Sequence, residues 1–424
     1  MSPDPQTHLL PAPDADALAH SERLSAAIRT EIATSEGGAI AFSRFMELAL
    51  YAPGLGYYSA GASKFGAEGD FVTAPELGPA FATCVADAVA PVLRELAAAA
   101  PPLGGASGSV FLELGGGTGA FAEVALQRLG ELDALPDGYA ILEPSAQLRQ
   151  RQRERLQQRL PPDLFARVQW LDGPLGHDWN GVLFANEVLD ALPTPRFAIE
   201  HGEVCEEYVV VDGDHASTSS VDGLRTTPGT GFARVTRPAD AFLGGAVRHL
   251  ERRLERAFDD GYRSEVLPQL PYWIQAVSGG LKRGAMLFVD YGYPRGEYYQ
   301  PDRRDGTLRA FYRHRMHHDP LLYPGLQDLT ASVDFTALAE AGVAAGFDFA
   351  GYCSQASFLL GNGLAGVLAQ IEAIDDTAER LRRLNEVKRL TLPSEMGERF
   401  QVMGFEKDVE FGVAFDAGDL SFRL

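Results

Sequence analysis

Apolar residues recur at helical spacing twice near the start of the chain. Leu24, Ala27, Ile28 and Ile32 predict a helix over 21–35 with Ser21 as its N-cap, and Phe42, Phe45, Met46 and Leu50 predict a second over 40–50. Residues 51–70 lose the period and are rich in Gly, Pro, Ser and Tyr, which predicts a long loop. An Ala-rich helical pattern covers 79–98, and a Pro/Gly/Ser linker follows over 101–109. Short apolar runs then alternate with helical patterns: strand 109–114, helix 119–130, strand 138–143, helix 145–160, strands 166–171 and 181–185, and a short helix 187–191. Alternation of this kind predicts crossover units and a mostly parallel sheet. It breaks over 196–235, where Phe197–Ile199 and Val204–Val211 predict a hairpin about Gly202 and the polar stretch 212–231 predicts a loop. Two helical patterns fill 240–280, strand 284–290 resumes the core, and 295–330 reads as loop. A helix over 334–345, a strand over 347–352, helical residues 363–390 and a last strand over 399–405 complete the chain. The expected organisation is a disordered tail (1–20), an N-terminal helical lobe with a lid loop (21–104), and an α/β core (105–424) carrying a hairpin and a helical insertion about 196–280.

Composition narrows the function. Of 424 residues, 46% are hydrophobic and 22% charged, in the range of a soluble globular enzyme. The formal net charge of −21 lacks the basic footprint of a nucleic-acid binder. No apolar run is long enough to span a bilayer, and Met1–His20 has no Lys or Arg, so neither a signal nor a transit peptide is predicted and the expected location is cytoplasmic. Cys84, Cys205 and Cys353 show no disulfide or zinc spacing. His314 and His318 have i, i+4 spacing without the acidic residue of a zinc motif, and no metal is expected. Arg149, Arg151, Arg153, Arg155 and Arg159 read as a solvated helix face.

Candidate chemistry concentrates where strands end. Val110-Phe111-Leu112-Glu113-Leu114 runs into Gly115, Gly116, Gly117 and Gly119, and a helical pattern starts at once. Glycines there let a nucleotide-like ligand approach the backbone. The spacing satisfies both G-x-G-x-G and, with Ala120, the dinucleotide pattern G-x-G-x-x-A. Glu143, at the end of the second strand, suits the two hydroxyls of a ribose. Asp172, at the end of the third, could reach an adenine amino group. Glu113 discriminates between cofactors. A carboxylate beside the turn repels a pyrophosphate but suits the cationic sulfonium of S-adenosylmethionine (SAM). NAD chemistry is therefore the weaker alternative. The fourth strand ends in Asn186-Glu187-Val188-Leu189-Asp190, at the edge where open α/β sheets bind ligands, and Asn186, Glu187 and Asp190 are the candidate catalytic residues. Asp290 and Tyr291 end another strand, and Thr73 and Pro75 in the loop Gly69–Glu76 are candidate cofactor contacts.

The order of these motifs resembles the MidA-like SAM-dependent methyltransferases, a family that includes the mitochondrial arginine methyltransferase of respiratory complex I assembly. The resemblance is carried by Tyr51–Tyr58 (YAPGLGYY), Gly69–Glu76 (GDFVTAPE), Glu113–Gly119, Asn186–Pro193 (NEVLDALP), Asp305–Arg315 (DGTLRAFYRHR), Leu329–Phe335 (LTASVDF) and Met396–Phe400 (MGERF). It implies a class I methyltransferase core: a Rossmann-like seven-stranded sheet with the last strand antiparallel. It also implies SAM as cofactor and a protein arginine as acceptor, on a complex I subunit. Gly116 departs from the family, which commonly has Pro there. A non-catalytic SAM-binding assembly factor is the remaining alternative.

Overall fold

The apolar runs that begin at residue 109 form a sheet buried on both faces. In the computed structural model, which describes residues 10–59, 73–99, 108–213, 225–226 and 231–424, seven long strands make it. They are β1 (Ser109–Leu114), β2 (Gly138–Leu142), β3 (Val168–Leu171), β4 (Trp179–Asn186), β5 (Leu281–Tyr293), β6 (Asp348–Ser354) and β7 (Phe400–Lys407). Their order is 3-2-1-4-5-7-6. β1 to β5 pair in parallel, and β7 runs antiparallel to both β5 and β6. This is the sheet expected from the sequence, including the antiparallel last strand. A two-residue strand, Val333–Asp334, adds in parallel at the end of β5. Burial on both faces explains why β4 and β5 read as unbroken apolar runs rather than alternating ones: Val182–Ala185 and Ala285–Val289 are all buried.

Helices Ala80–Ala98 and Ala120–Glu131 share a core with one face of this sheet, in which Phe121 stacks on Phe184 at 4.2 Å and Phe111 on Tyr139 at 5.0 Å. Pro79 cannot cap the first of these helices with its side chain. The buried Glu386 does so from far along the chain, accepting from the Ala80 N–H at 2.7 Å. Strand order reverses between β1 and β4, and such a switch point is where open sheets of this kind bind ligands. The glycine turn follows β1, and Asn186-Glu187 closes β4.

The chain divides into two compact units, and the division differs from the one expected. The sheet belongs to the unit built from 72–189, 269–294 and 333–424; the other comprises 1–71, 190–268 and 295–332. The sequence had placed 190–268 and 295–332 in the core with the sheet. They cluster instead with the N-terminal residues because their strands pair with one another and with Ile40–Ala41.

This second unit holds a six-stranded antiparallel sheet in which Arg196–Glu200 and Glu203–Val211 form the expected hairpin about Gly202. Its turn residues His201 and Gly202 both have positive φ, as a two-residue hairpin turn requires. The region 240–280 is less helical than its pattern: a strand, Arg263–Glu265, lies between helices Ala241–Arg253 and Leu270–Ser278. Residues 295–330, read as loop, contain a three-stranded antiparallel sheet of Arg309–Tyr312, Arg315–His317 and Asp328–Thr330. Arg313 and His314 make its tight turn in left-handed conformations, so His314 and His318 do not lie on a helix. The first helix spans Ala15–Thr34, not 21–35, because Asp14 caps it by accepting from Ala17 N–H at 2.9 Å; this helix thus begins inside the expected tail. Leu24, Ile28, Phe42, Phe45 and Leu50 pack with Val209, Phe232 and Leu329 as the core of this unit. Of the expected loops 51–70 and 212–231, residues 60–70, 214–224 and 227–230 lie outside the described residues.

The same unit buries a charge network. Arg196 is 1% exposed, and its guanidinium meets Glu207 at 2.8 Å, Asp305 at 2.9 Å and also Glu265. Glu207, fully buried, also accepts from Arg263 at 2.7 Å and Arg234 at 3.1 Å. Against the cost of burial, Arg196, Arg234 and Arg263 hold the Glu207 carboxyl well below the usual range, and Glu207, Glu265 and Asp305 keep Arg196 charged.

Candidate functional site

The glycine turn is built by backbone geometry that only glycine adopts without strain. Gly115, Gly117 and Gly119 have φ of +65°, +52° and +85°. Gly115 N–H donates to the Leu142 carbonyl at 3.0 Å, tying the turn to the end of β2. At Gly117 nothing stands within 4 Å of where a Cβ would be, so the backbone faces open space. At Gly116 a Cβ would come 2.9 Å from Ile141 Cγ2 and 3.2 Å from Gln152 Nε2. In this chain those side chains occupy the room that proline would need. Gly117→Ala is therefore expected to weaken SAM binding more than tenfold while lowering stability by only about 1 kcal/mol, the cost of a left-handed alanine. Calorimetric titration and thermal melting read the two effects separately.

Two buried carboxyls flank the turn. Glu113 points to the helix-covered face of the sheet and accepts from the Tyr139 hydroxyl at 2.8 Å. Burial pushes it up to about 8; the Tyr139 hydrogen bond opposes this, and Glu143 adds to it. The free protein thus keeps Glu113 largely protonated at neutral pH, where the sequence suggested a standing charge. Glu143 accepts from Ser145 N–H at 2.9 Å and from Gln152 Nε2 at 3.3 Å. Burial pushes it up to about 7, opposed by those two hydrogen bonds and by Arg149.

Asp172 lies one residue beyond β3. Its side chain is 96% exposed and engaged by Arg149 at 2.5 Å. Arg149 also donates to the carbonyls of Leu171 (2.7 Å) and Glu143, Arg155 pairs with Glu123 at 2.7 Å, and Arg153 lies over the Trp170 ring. The arginine-rich helix is thus pinned to the strand ends rather than simply solvated.

At the end of β4, Asn186 Nδ2 donates to Glu187 Oε1 at 3.0 Å. Asn186 Oδ1 is buried and has no hydrogen-bond partner among the described residues. No helix covers 187–191: Glu187 has φ +53°, and the chain turns there. Asp290, buried at the end of β5, braces that turn by accepting from Leu189 N–H at 3.0 Å, so its carboxylate has a supporting task. Asp190 falls in the other unit, where its carbonyl accepts from Ala331 N–H at 2.9 Å. In that unit the Tyr58 hydroxyl donates to Asp328 at 2.9 Å, and burial, then Asp328, Tyr51 and Asp190, push Tyr58 well above the usual phenol range. Thr73 precedes the one-turn helix Ala74–Leu77, with Pro75 in its first turn. It is their neighbour Glu76 that reaches the glycine turn, accepting from the Thr118 hydroxyl. Residues 69–72 of that motif lie outside the described residues.

Gln152 and Tyr139 were missed from the sequence. A signal existed for Gln152: with Leu148 and Leu156 it occupies the i, i+4, i+8 stripe that the helix buries. Tyr139 shares one face of β2 with Ile141, one diagonal step from Glu113 in the parallel register.

A sheet in the order 3-2-1-4-5-7-6, with a glycine turn at its point of reversal and an acid closing the next strand, defines a class I methyltransferase. Residues 84–353 match the family of S-adenosyl-L-methionine-dependent methyltransferases, and the chain belongs to that family. A solved structure from Burkholderia thailandensis, bound to S-adenosyl-homocysteine, is 42% identical, covers 98% of this chain and 100% of its own, and has a TM-score of 0.85. The mitochondrial protein arginine methyltransferase NDUFAF7 homolog of Drosophila melanogaster is 28% identical over 92% of this chain and 87% of its own length. The Mus musculus protein arginine methyltransferase NDUFAF7 is 28% identical over 86% and 80%. The cofactor is SAM, and the NAD reading of the turn falls away. The site fits that ligand: Gly117 leaves the backbone approachable, and Asn186 offers a buried acceptor awaiting a donor.

Proposed function

We propose that this methyltransferase modifies an arginine side chain of a protein, with a complex I subunit as the first substrate to test. The observation that carries the reading is the Asn186–Glu187 pair. The amide nitrogen of Asn186 is committed to Glu187, so the pair presents hydrogen-bond acceptors: Asn186 Oδ1 and the Glu187 carboxylate. Such a pair suits a donor-rich, cationic group, and guanidinium offers five N–H donors and no acceptor. SAM supplies an electrophilic methyl on a cationic sulfur. Glu187 would hold the guanidinium and localise its charge away from the reacting nitrogen, because the group is not deprotonated in bulk water near neutral pH. The names of the mitochondrial relatives support the same acceptor.

The test is labelled-methyl transfer from SAM into lysate of a strain lacking this protein, followed by mass spectrometry of the labelled band. Methylarginine in a protein supports the reading. Label in a small molecule or on another residue type overturns it. SAM binding with no transfer would favour the non-catalytic assembly factor.

Glu113 would answer the sulfonium. A cation beside it lowers its proton affinity, so SAM binding is expected to release protons near neutral pH and to tighten as pH rises toward about 8. S-adenosyl-homocysteine, which lacks the sulfonium, should show less of both, as titration in buffers of different ionisation enthalpy would reveal. Stability without ligand should run the other way. Glu113 and Glu143 keep protons in the folded chain that the unfolded chain has lost above the ordinary 4.5. Their contribution is thus present below that pH and lost as pH rises through about 7 and about 8. Thermal melting of the free protein across this range checks the sign.

A further inference from the structure

Gln152 is fully buried, and its amide joins three strand ends. Oε1 accepts from Trp170 Nε1 on β3 at 2.8 Å. Nε2 donates to the carbonyl of Gly117, in the turn after β1, at 3.0 Å, and to Glu143 Oε2, at the end of β2, at 3.3 Å. The orientation of the amide is dictated, because an indole nitrogen can only donate and a carboxylate or carbonyl can only accept. Trp170 therefore turns the NH₂ group toward the turn and Glu143. Glutamate could not replace it, having no second donor. The remaining polar neighbours of Glu143 are Ser145 N–H on its other oxygen, Arg149, whose Nε donates to the Glu143 carbonyl, and Glu113 with its Tyr139 partner.

We propose that Gln152, aimed by Trp170, is a positioning residue of the cofactor site that keeps Glu143 ionised and directed at the ribose diol while holding the Gly117 carbonyl away from the ligand. The inference rests on Glu143 being the ribose acceptor. A buried carboxylate with one donor removed holds its proton to higher pH, and a protonated Glu143 accepts the diol poorly. Gln152 would thus set the pH above which the nucleoside is bound, a task distinct from filling space between helix and sheet.

The test titrates S-adenosyl-homocysteine, which has no sulfonium to engage Glu113, into the full-length protein from about pH 6 to about pH 8.5. Wild type should tighten through neutrality and level off. Gln152→Met keeps the volume and removes both donors. It should shift the midpoint upward by about one pH unit, weakening binding about tenfold at the acidic end and less than about threefold at the alkaline end. Trp170→Phe, which releases the amide without touching Glu143, should move the midpoint in the same direction by less; it also serves if Gln152→Met does not fold. Equal weakening at every pH, or no change, in both variants would overturn the proposal. Glu143→Gln separates the two layers. If it leaves affinity and pH profile unchanged, the ribose reading of Glu143 is wrong. If it abolishes the pH dependence while Gln152→Met and Trp170→Phe leave it in place, only the role of Gln152 is wrong.

Discussion

Glu187→Gln is expected to reduce methyl transfer by a factor of about 100 or more while SAM affinity changes by less than about twofold. The glutamine keeps the shape and the hydrogen bond from Asn186 but lacks the negative charge that a guanidinium requires. Single-turnover transfer beside a binding titration separates the two; unchanged turnover would remove Glu187 from the mechanism. The backbone adds a second, independent expectation. Glu187 stands at φ +53°, a conformation that costs a non-glycine residue about 1 kcal/mol or more. It is held there because Glu187 N–H donates to the Val289 carbonyl at 2.9 Å while Asp290 braces Leu189. Glu187→Gly should therefore be inactive yet more stable than wild type by about 1 kcal/mol, visible as a higher melting temperature. A lower melting temperature would mean that the side chain supports the fold and that its strain is not kept for function.

Arg196→Ala is expected to destabilise the protein by about 3–5 kcal/mol, the range found when one partner of a buried ion pair is removed. Glu207 retains Arg234 and Arg263, but among the described residues Glu265 keeps Tyr298 and the Thr307 backbone and hydroxyl to answer its charge. Neutralising the stranded acid should therefore recover part of the loss. Arg196→Met with Glu265→Gln is predicted to be more stable than Arg196→Ala, and denaturant unfolding would compare them. Acid sensitivity follows with a definite sign. Glu207 is held well below its ordinary 4.5, so its contribution is present above that pH and lost as pH falls beneath it. A wild-type protein that melts no earlier in acid would contradict the network.

The site was legible in the sequence wherever its chemistry is local. A glycine turn between an apolar run and a helix, an acid at a strand end, and Asn-Glu after a strand each depend on a few adjacent residues. All of them stand where their strands were expected. The hairpin of Arg309–Tyr312 and Arg315–His317 was not legible, because Arg313-His314 carries none of the Asn or Gly that usually mark such a turn. The expected helix over 187–191 failed for a related reason. An Asn followed by acidic residues is good capping chemistry, but β5 pairing and Asp290 hold the chain in a turn instead.

The order of the core strands, the glycine turn and the family were thus determined by the sequence alone, since period, turn residues and motif spacing act over a few residues. Tertiary structure alone decided the division into units, because it follows from pairing between residues 40–41, 196–211 and 232–238 that lie far apart along the chain. It also decided the state of the charges. Glu113 and Glu207 are the same residue type, yet desolvation without a cationic partner raises one and three surrounding arginines lower the other. Proton affinity is a property of what surrounds a carboxyl, and those surroundings exist only once distant segments have come together.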